Sequence, residues 1–117
     1  MSRGISALEA FEQALQANPD ELIYQPEILR LCGQSRLKLG EPELAEADFR
    51  EAIALAQKME AKAWELRATT SLARLLGSQG RRDEARAMLS EIYGWFTEGF
   101  DTADLKDAKA LLDELSS

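Results

Sequence analysis

Histidine is absent from these 117 residues. That removes His-dependent catalytic triads, imidazole metal ligands and the one side chain that ordinarily titrates near neutral pH. A single cysteine, Cys32, cannot close an internal disulfide, and its surroundings, LRLCGQSRL, set it on a helix among leucines as a packed thiol. Long apolar runs are missing too. The opening MSRGISALEA lacks the core of a signal peptide, and no later stretch has the length to cross a bilayer, so the chain is expected to be cytoplasmic and off the membrane. No Gly-rich phosphate loop of the Walker type occurs, because GSQGRR lacks its lysine and its spacing. Cations are outnumbered, 14 Lys and Arg against 21 Asp and Glu, for a formal charge of −7. A deficit of clustered cations argues against nucleic acid as a partner. Period-two alternation is almost absent, which speaks against strands.

What remains is a chain of 45% hydrophobic and 30% charged residues, rich in alanine, leucine, glutamate and arginine, a composition for helix in one all-α domain. Carboxylates recur at surface-like helical spacings with no apolar pocket marked around any pair, so the chain is read as non-enzymatic and without a cofactor or metal. Six segments carry helical periodicity. The first, over 5–18, opens on a capping-box pair, Ser6 and Glu9, and is stopped by Asn18 and Pro19. The second starts at Pro26 and runs to Gly40. The third follows Pro42 with an apolar stripe of Ala45, Phe49, Ala52, Ala56 and Met59. The fourth covers Ala61 to Ser78, the fifth Arg82 to Glu98, and the sixth occupies 101–116 with Leu105, Ala108, Leu112 and Leu115. Short links make successive helices antiparallel neighbours.

Laying GQSRLKLGEPELAEADFREAI over ARLLGSQGRRDEARAMLSEIY puts Gly40 on Gly80, Ala45 on Ala85, Phe49 on Leu89 and Ala52 on Ile92, a period of 40 residues. These residues resemble the tetratricopeptide repeat, a helical hairpin with a glycine before its turn, small residues where the helices touch and a ring on the second helix. Gly33, Gly40, Ala45, Phe49 and Ala52 match that pattern in the unit 26–59. Ala7, Phe11, Ala14 and Pro19 match it in a half unit, 5–18. The unit 61–98 departs from it: Ala73 replaces the glycine, Leu89 the ring, Ile92 the small residue and Thr97 the closing proline. The resemblance implies antiparallel hairpins stacked as a short right-handed superhelix, closed by a capping helix at 101–116.

Residues 26–116 also resemble the C-terminal repeat region of large bacterial regulatory ATPases, many of which carry nucleotide-cyclase or transcriptional-regulator modules. The stretches Trp64 to Arg67 and Tyr93 to Lys109 carry that likeness most specifically. It implies a regulatory docking segment whose catalytic modules lie outside these residues.

The cluster YGWFTEGF before the last helix reads as closure. Gly99 ends the fifth helix, Phe100 folds back on Trp95 or Phe96, Asp101 caps the sixth helix, and Gly94 lets that helix approach closely. At the other end the first helix is half of a unit, so its leading face should be exposed and apolar. The chain is accordingly expected either to be a fragment of a larger protein or to form a homodimer through that helix.

In stacked repeats the first helix of each hairpin lines a concave groove. The inward positions are Glu27, Arg30, Gln34 and Lys38, then Arg67, Thr70, Arg74 and Ser78. Arg30, Gln34, Lys38, Arg67, Thr70 and Arg74 are the candidate partner-binding residues, and their cations suit an acidic peptide, a carboxylate terminus or another domain of the same chain. A plainer reading pairs those cations with nearby Glu27, Glu65 or Asp48. The alternative function is small-molecule sensing by an aromatic pocket near Trp64 and Trp95, with Tyr93 and Phe96 beside them.

Overall fold

The computed structural model describes residues 25–97 and 102–116, and the described residues form five helices: α1 Gln25–Lys38, α2 Pro42–Lys58, α3 Lys62–Ser78, α4 Arg82–Trp95 and α5 Ala103–Ser116. No strand occurs among the described residues. The helix expected over 5–18, and with it the apolar leading face and the homodimer built on it, lies outside them. So do Gly99, Phe100 and Asp101.

One turn is used three times. At Gly40, Glu60 and Gly80 the backbone enters the left-handed region, with φ of 78°, 57° and 82°. Each turn closes with the same two bonds. Gly40 N donates to Leu37 O and Glu41 N to Arg36 O; Glu60 N to Gln57 O and Ala61 N to Ala56 O; Gly80 N to Gly77 O and Arg81 N to Leu76 O. This paired closure satisfies the last carbonyls of each helix. The residue after each turn then accepts the first bond of the next helix, Ala45 N on Glu41 O, Glu65 N on Ala61 O and Ala85 N on Arg81 O. Because the turn inside a hairpin and the turn between hairpins are the same, helices recur every 20 residues, from 40 to 60 to 80, and the 40-residue sequence period follows.

The core lies where small and large side chains interlock. Ala45, Phe49, Ala52 and Ala56 of α2 are wholly buried, as are Leu72, Ala73 and Leu76 of α3 and Ala85 and Leu89 of α4. At Gly33 the fit is tightest: a Cβ there would stand 2.5 Å from Phe49 Cε1. Arg36 of α1 and Asp48 of α2 approach to 3.1 Å at the hairpin's edge.

Helix α5 packs on both α3 and α4, as α3 packs on α1 and α2, so it stands where the first helix of a third hairpin would. Leu105, Ala108, Leu111 and Leu115 are its buried stripe. It comes close at Gly77, where an added Cβ would lie 3.0 Å from Leu115 Cδ2. Gly94, assigned that role from the sequence, is exposed and faces open space. The physical reason is register: α4 ends at Trp95, three residues short of Glu98, so Gly94 sits in the final turn and α5 crosses elsewhere. In the described residues the hydroxyl at the start of α5 is Thr102 Oγ1, which accepts from Leu105 N at 3.4 Å.

Candidate groove site

The positions three and four apart on α1 and α3 share a face, and the tertiary structure brings Arg30, Gln34, Arg67, Thr70 and Arg74 around one small polar cavity of about 60 Å³. Ser71, Asp104 and Asp107 complete it. Lys38, at the exposed end of α1, does not line it. Thr70 is buried and its hydroxyl donates to Leu66 O at 2.8 Å, so that group serves its own helix. Sequence reasoning missed Ser71, whose hydroxyl receives Gln34 Nε2 at 3.3 Å and Arg30 Nη1 at 3.4 Å. It also missed Asp104 and Asp107, which spacing within a single helix could not aim at α3.

Each arginine in the cavity meets a carboxylate of the same chain. Arg30 grips Glu27 with two parallel bonds, Nε to Oε1 at 2.9 Å and Nη2 to Oε2 at 2.7 Å. Arg67 is held by three: Nη1 to Glu27 Oε2 at 3.2 Å, Nε to Asp104 Oδ1 at 3.3 Å and Nη2 to Asp104 Oδ2 at 2.9 Å. One guanidinium therefore ties α1, α3 and α5 together. Arg74 differs. It has a single bond, Nη2 to Asp107 Oδ1 at 2.9 Å, and both partners are 54% exposed.

These contacts set the local electrostatics. Partial burial pushes the Glu27 carboxyl up, but the hydrogen bonds and charges of Arg30 and Arg67 outweigh it and hold Glu27 below its ordinary value. Arg67 moves the other way, raised chiefly by the hydrogen bonding it donates to Asp104. Three cations face three carboxylates, Glu27, Asp104 and Asp107. The expected local reversal of charge is thus neutralised from within, in part by Glu27 as the plainer reading held and in part by α5.

Arg74 also sits at a crossroads. An apolar depression of about 190 Å³ with Leu37 and Leu75 in its lining opens on one side of Arg74 and Ser78. A second, of about 310 Å³, takes in Gly77, Leu111 and Leu115 on the other. Both include Arg74 and Ser78, so polar cavity and apolar depressions form one trough across α1, α3 and α5.

The aromatic residues do not gather into one pocket. Trp64 lies under the Arg67 guanidinium, 5.2 Å from carbon to ring centre. Trp95 lines a different cavity, without Trp64, and its ring meets Phe96 edge-on at 5.1 Å. Tyr93 and Phe96 pack against the main core. Among the described residues no group of three or more His, Cys, Asp or Glu side chains is placed to hold a metal, and no described helix is long and apolar enough to cross a membrane.

The tetratricopeptide repeat family matches residues 31–59, which span the second half of α1, its turn and all of α2. Repeats of this family generally mediate protein–protein interaction and typically act as non-catalytic scaffolds. No curated protein and no solved structure matches the chain.

Proposed function

We propose that this chain is a non-catalytic docking scaffold that takes a carboxylate-bearing segment of a protein partner, or of its own parent chain, along the trough lined by Arg30, Gln34, Arg67, Thr70 and Arg74, with Lys38 beyond its end. The observation that carries the reading is the inequality among the arginines. Arg30 and Arg67 are committed to bidentate contacts inside the fold, whereas Arg74 holds one exposed carboxylate between two apolar depressions. An exposed ion pair contributes about 0.2–1 kcal/mol. A partner carboxylate can therefore take the Arg74 guanidinium from Asp107 at little cost, while its apolar neighbours enter the depressions. Lys38 extends the positive rim at the far end of α1.

The likeness of residues 26–116 to the repeat region of bacterial regulatory ATPases supplies the setting. In that setting the scaffold docks a signalling partner, or a cyclase- or ATPase-type module, as part of a larger protein in the cytoplasm, with its hairpins continuing a right-handed superhelix. Affinity capture on the immobilised chain, followed by quantitative binding of the captured partner, tests the trough. Arg74→Ala is expected to weaken binding about tenfold, the loss of one charge-assisted contact, and Arg67→Ala with Arg74→Ala to abolish it while far-ultraviolet circular dichroism still reports full helicity. Unchanged affinity in Arg74→Ala rejects the trough as the docking site.

A further inference from the structure

The cavity beside Trp95 shares no residue with the trough and has no part in the docking reading. It holds about 320 Å³, at the lower end of the range of small-ligand sites, about 300–1,000 Å³. Ile53 of α2 and Met88 and Ile92 of α4 supply an apolar wall. Glu65, from the first turn of α3, supplies a carboxylate whose side chain is only 9% exposed. Gln57 Nε2 donates to its Oε2 at 3.1 Å and fixes its orientation. Opposite stands Trp95, a large aromatic surface left 56% open to solvent.

A cation already sits between these groups. The Lys62 ammonium lies 3.4 Å from Glu65 Oε1 and 5.4 Å from the centre of the Trp95 ring. Its side chain is 34% exposed, so the carboxylate is built into the wall while the ammonium waits at the mouth. Three features favour positive charge there. The ring face attracts a cation, the more so as water is excluded. Helix α4 ends at Trp95 with no basic residue of its own in its last turn, so the negative end of its dipole favours a cation supplied from elsewhere at this rim,. Glu91 adds a second carboxylate, so that Glu65 and Glu91 outnumber Lys62 in the lining.

We infer that this cavity is a binding site for an alkylammonium group on an apolar stem, with Lys62 as its intramolecular occupant. A ligand ammonium takes the place of Lys62 between Glu65 and Trp95, and its stem lies along Ile53, Met88 and Ile92. The chemistry is shared by a free aliphatic amine and by a lysine side chain of another protein. Size and exposure account for the preference over a bare ion: an inorganic cation would leave the Trp95 face and the apolar wall uncovered.

The test follows the indole N–H resonance of Trp95 in the ¹⁵N-labelled full chain, titrated at constant ionic strength with n-butylammonium and separately with a short lysine-containing peptide. A saturable shift is expected. Lys62→Met removes the internal competitor and is expected to tighten binding about fivefold, the combined worth of one exposed ion pair and one cation–π contact. Glu65→Gln is expected to abolish the shift. Should that buried substitution unfold the chain, exposed Glu91→Gln serves in its place and is expected to weaken binding about twofold, as loss of a non-contacting surface charge does. Saturation by butylammonium alone identifies a free amine as the ligand, and tighter saturation by the peptide identifies a partner's lysine. The inference is overturned by no saturable shift with either probe, by a Lys62→Met chain that binds no tighter, or by undiminished binding in a folded Glu65→Gln or Glu91→Gln chain. None of these outcomes touches the trough, which is read through Arg74.

Discussion

At Gly33 a single hydrogen atom decides how two helices meet. The Phe49 ring fills the space a methyl group would need, and one hairpin later Ala73 stands in the glycine's place with Leu89 in the ring's, both wholly buried. What looks in the sequence like decay of a pattern is an exchange of volume: the smaller Leu89 side chain makes room for the alanine methyl. Overpacking a filled core costs about 1–3 kcal/mol, so Gly33→Ala is expected to destabilise by that amount. Phe49→Leu is expected to relieve it, with a coupling of about 1 kcal/mol or more between the two sites in a double-mutant cycle read by urea unfolding. Strict additivity, within about 0.5 kcal/mol, would show that the ring and the glycine do not constrain each other. Met59, by contrast, falls on the stripe by spacing yet is exposed, because α2 ends at Lys58 and Met59 belongs to the turn.

The elements owe their regularity to the turns. Two carry glycine, for which positive φ is unstrained, and the third carries Glu60 at φ 57°. The left-handed region costs a residue with a Cβ about 1–2 kcal/mol. Glu60→Gly should therefore stabilise the chain by about 1 kcal/mol, seen as a higher urea midpoint with unchanged slope; a lower midpoint would mean that the left-handed turn at 60 carries no strain. The sequence marks this turn poorly, since Met59, Glu60 and Ala61 look helical by propensity. Only the four-three spacing of apolar residues on either side, broken at this point, reveals it. Helix α5 illustrates the converse. Leu105, Ala108 and Leu115 of its stripe are legible in the sequence, but Leu111 and not Leu112 is the fourth buried member, and its place as the leading helix of a further hairpin depends on contacts with α3 and α4 together. Arg82 Nη2 donates to Glu114 O at 2.7 Å, so the closing turn of α5 receives from α4 the cation it lacks itself,.

At the scale of the molecule, many of the described charges are arranged in closed groups. On α2 and α4 Arg50 joins Glu46 and Glu84, each at 2.8 Å, and Arg81 joins the same two carboxylates at 3.1 and 2.9 Å. Slight burial pushes Glu46 up, and the hydrogen bonds of Arg50 and Arg81 more than reverse it; in Glu84 those same two bonds act first and lower it. With Glu27 that makes three carboxyls whose folded values lie below the ordinary 4.5. A depressed carboxyl gives stability that is complete above its unfolded value and is lost as pH falls through its folded one. The melting temperature should then hold level from pH 7 to about 5 and fall below 4.5, and Glu27→Gln should make that fall shallower. A melting temperature that rises on acidification, followed by circular dichroism, would contradict the assignment of these pairs. Without histidine, no step near neutral pH is expected from side chains in their ordinary range.

By itself the sequence determined the all-helical character of the described residues, the 40-residue period and the face on which Arg30, Gln34, Arg67, Thr70 and Arg74 meet. Those properties are local: apolar spacing, turn residues and side-chain volume act over a few positions along one chain, and a reader of the chain has all of them. Tertiary structure alone decided which cations stay available. Arg67 and Arg74 find their carboxylates more than 30 residues away on α5, Trp64 stands under Arg67 while Trp95 lines a cavity without it, and Lys62 bridges Glu65 to Trp95. Pairing between distant charges depends on how helices cross and on which rotamers fit between them, and neither is written in the spacing of residues along a single helix.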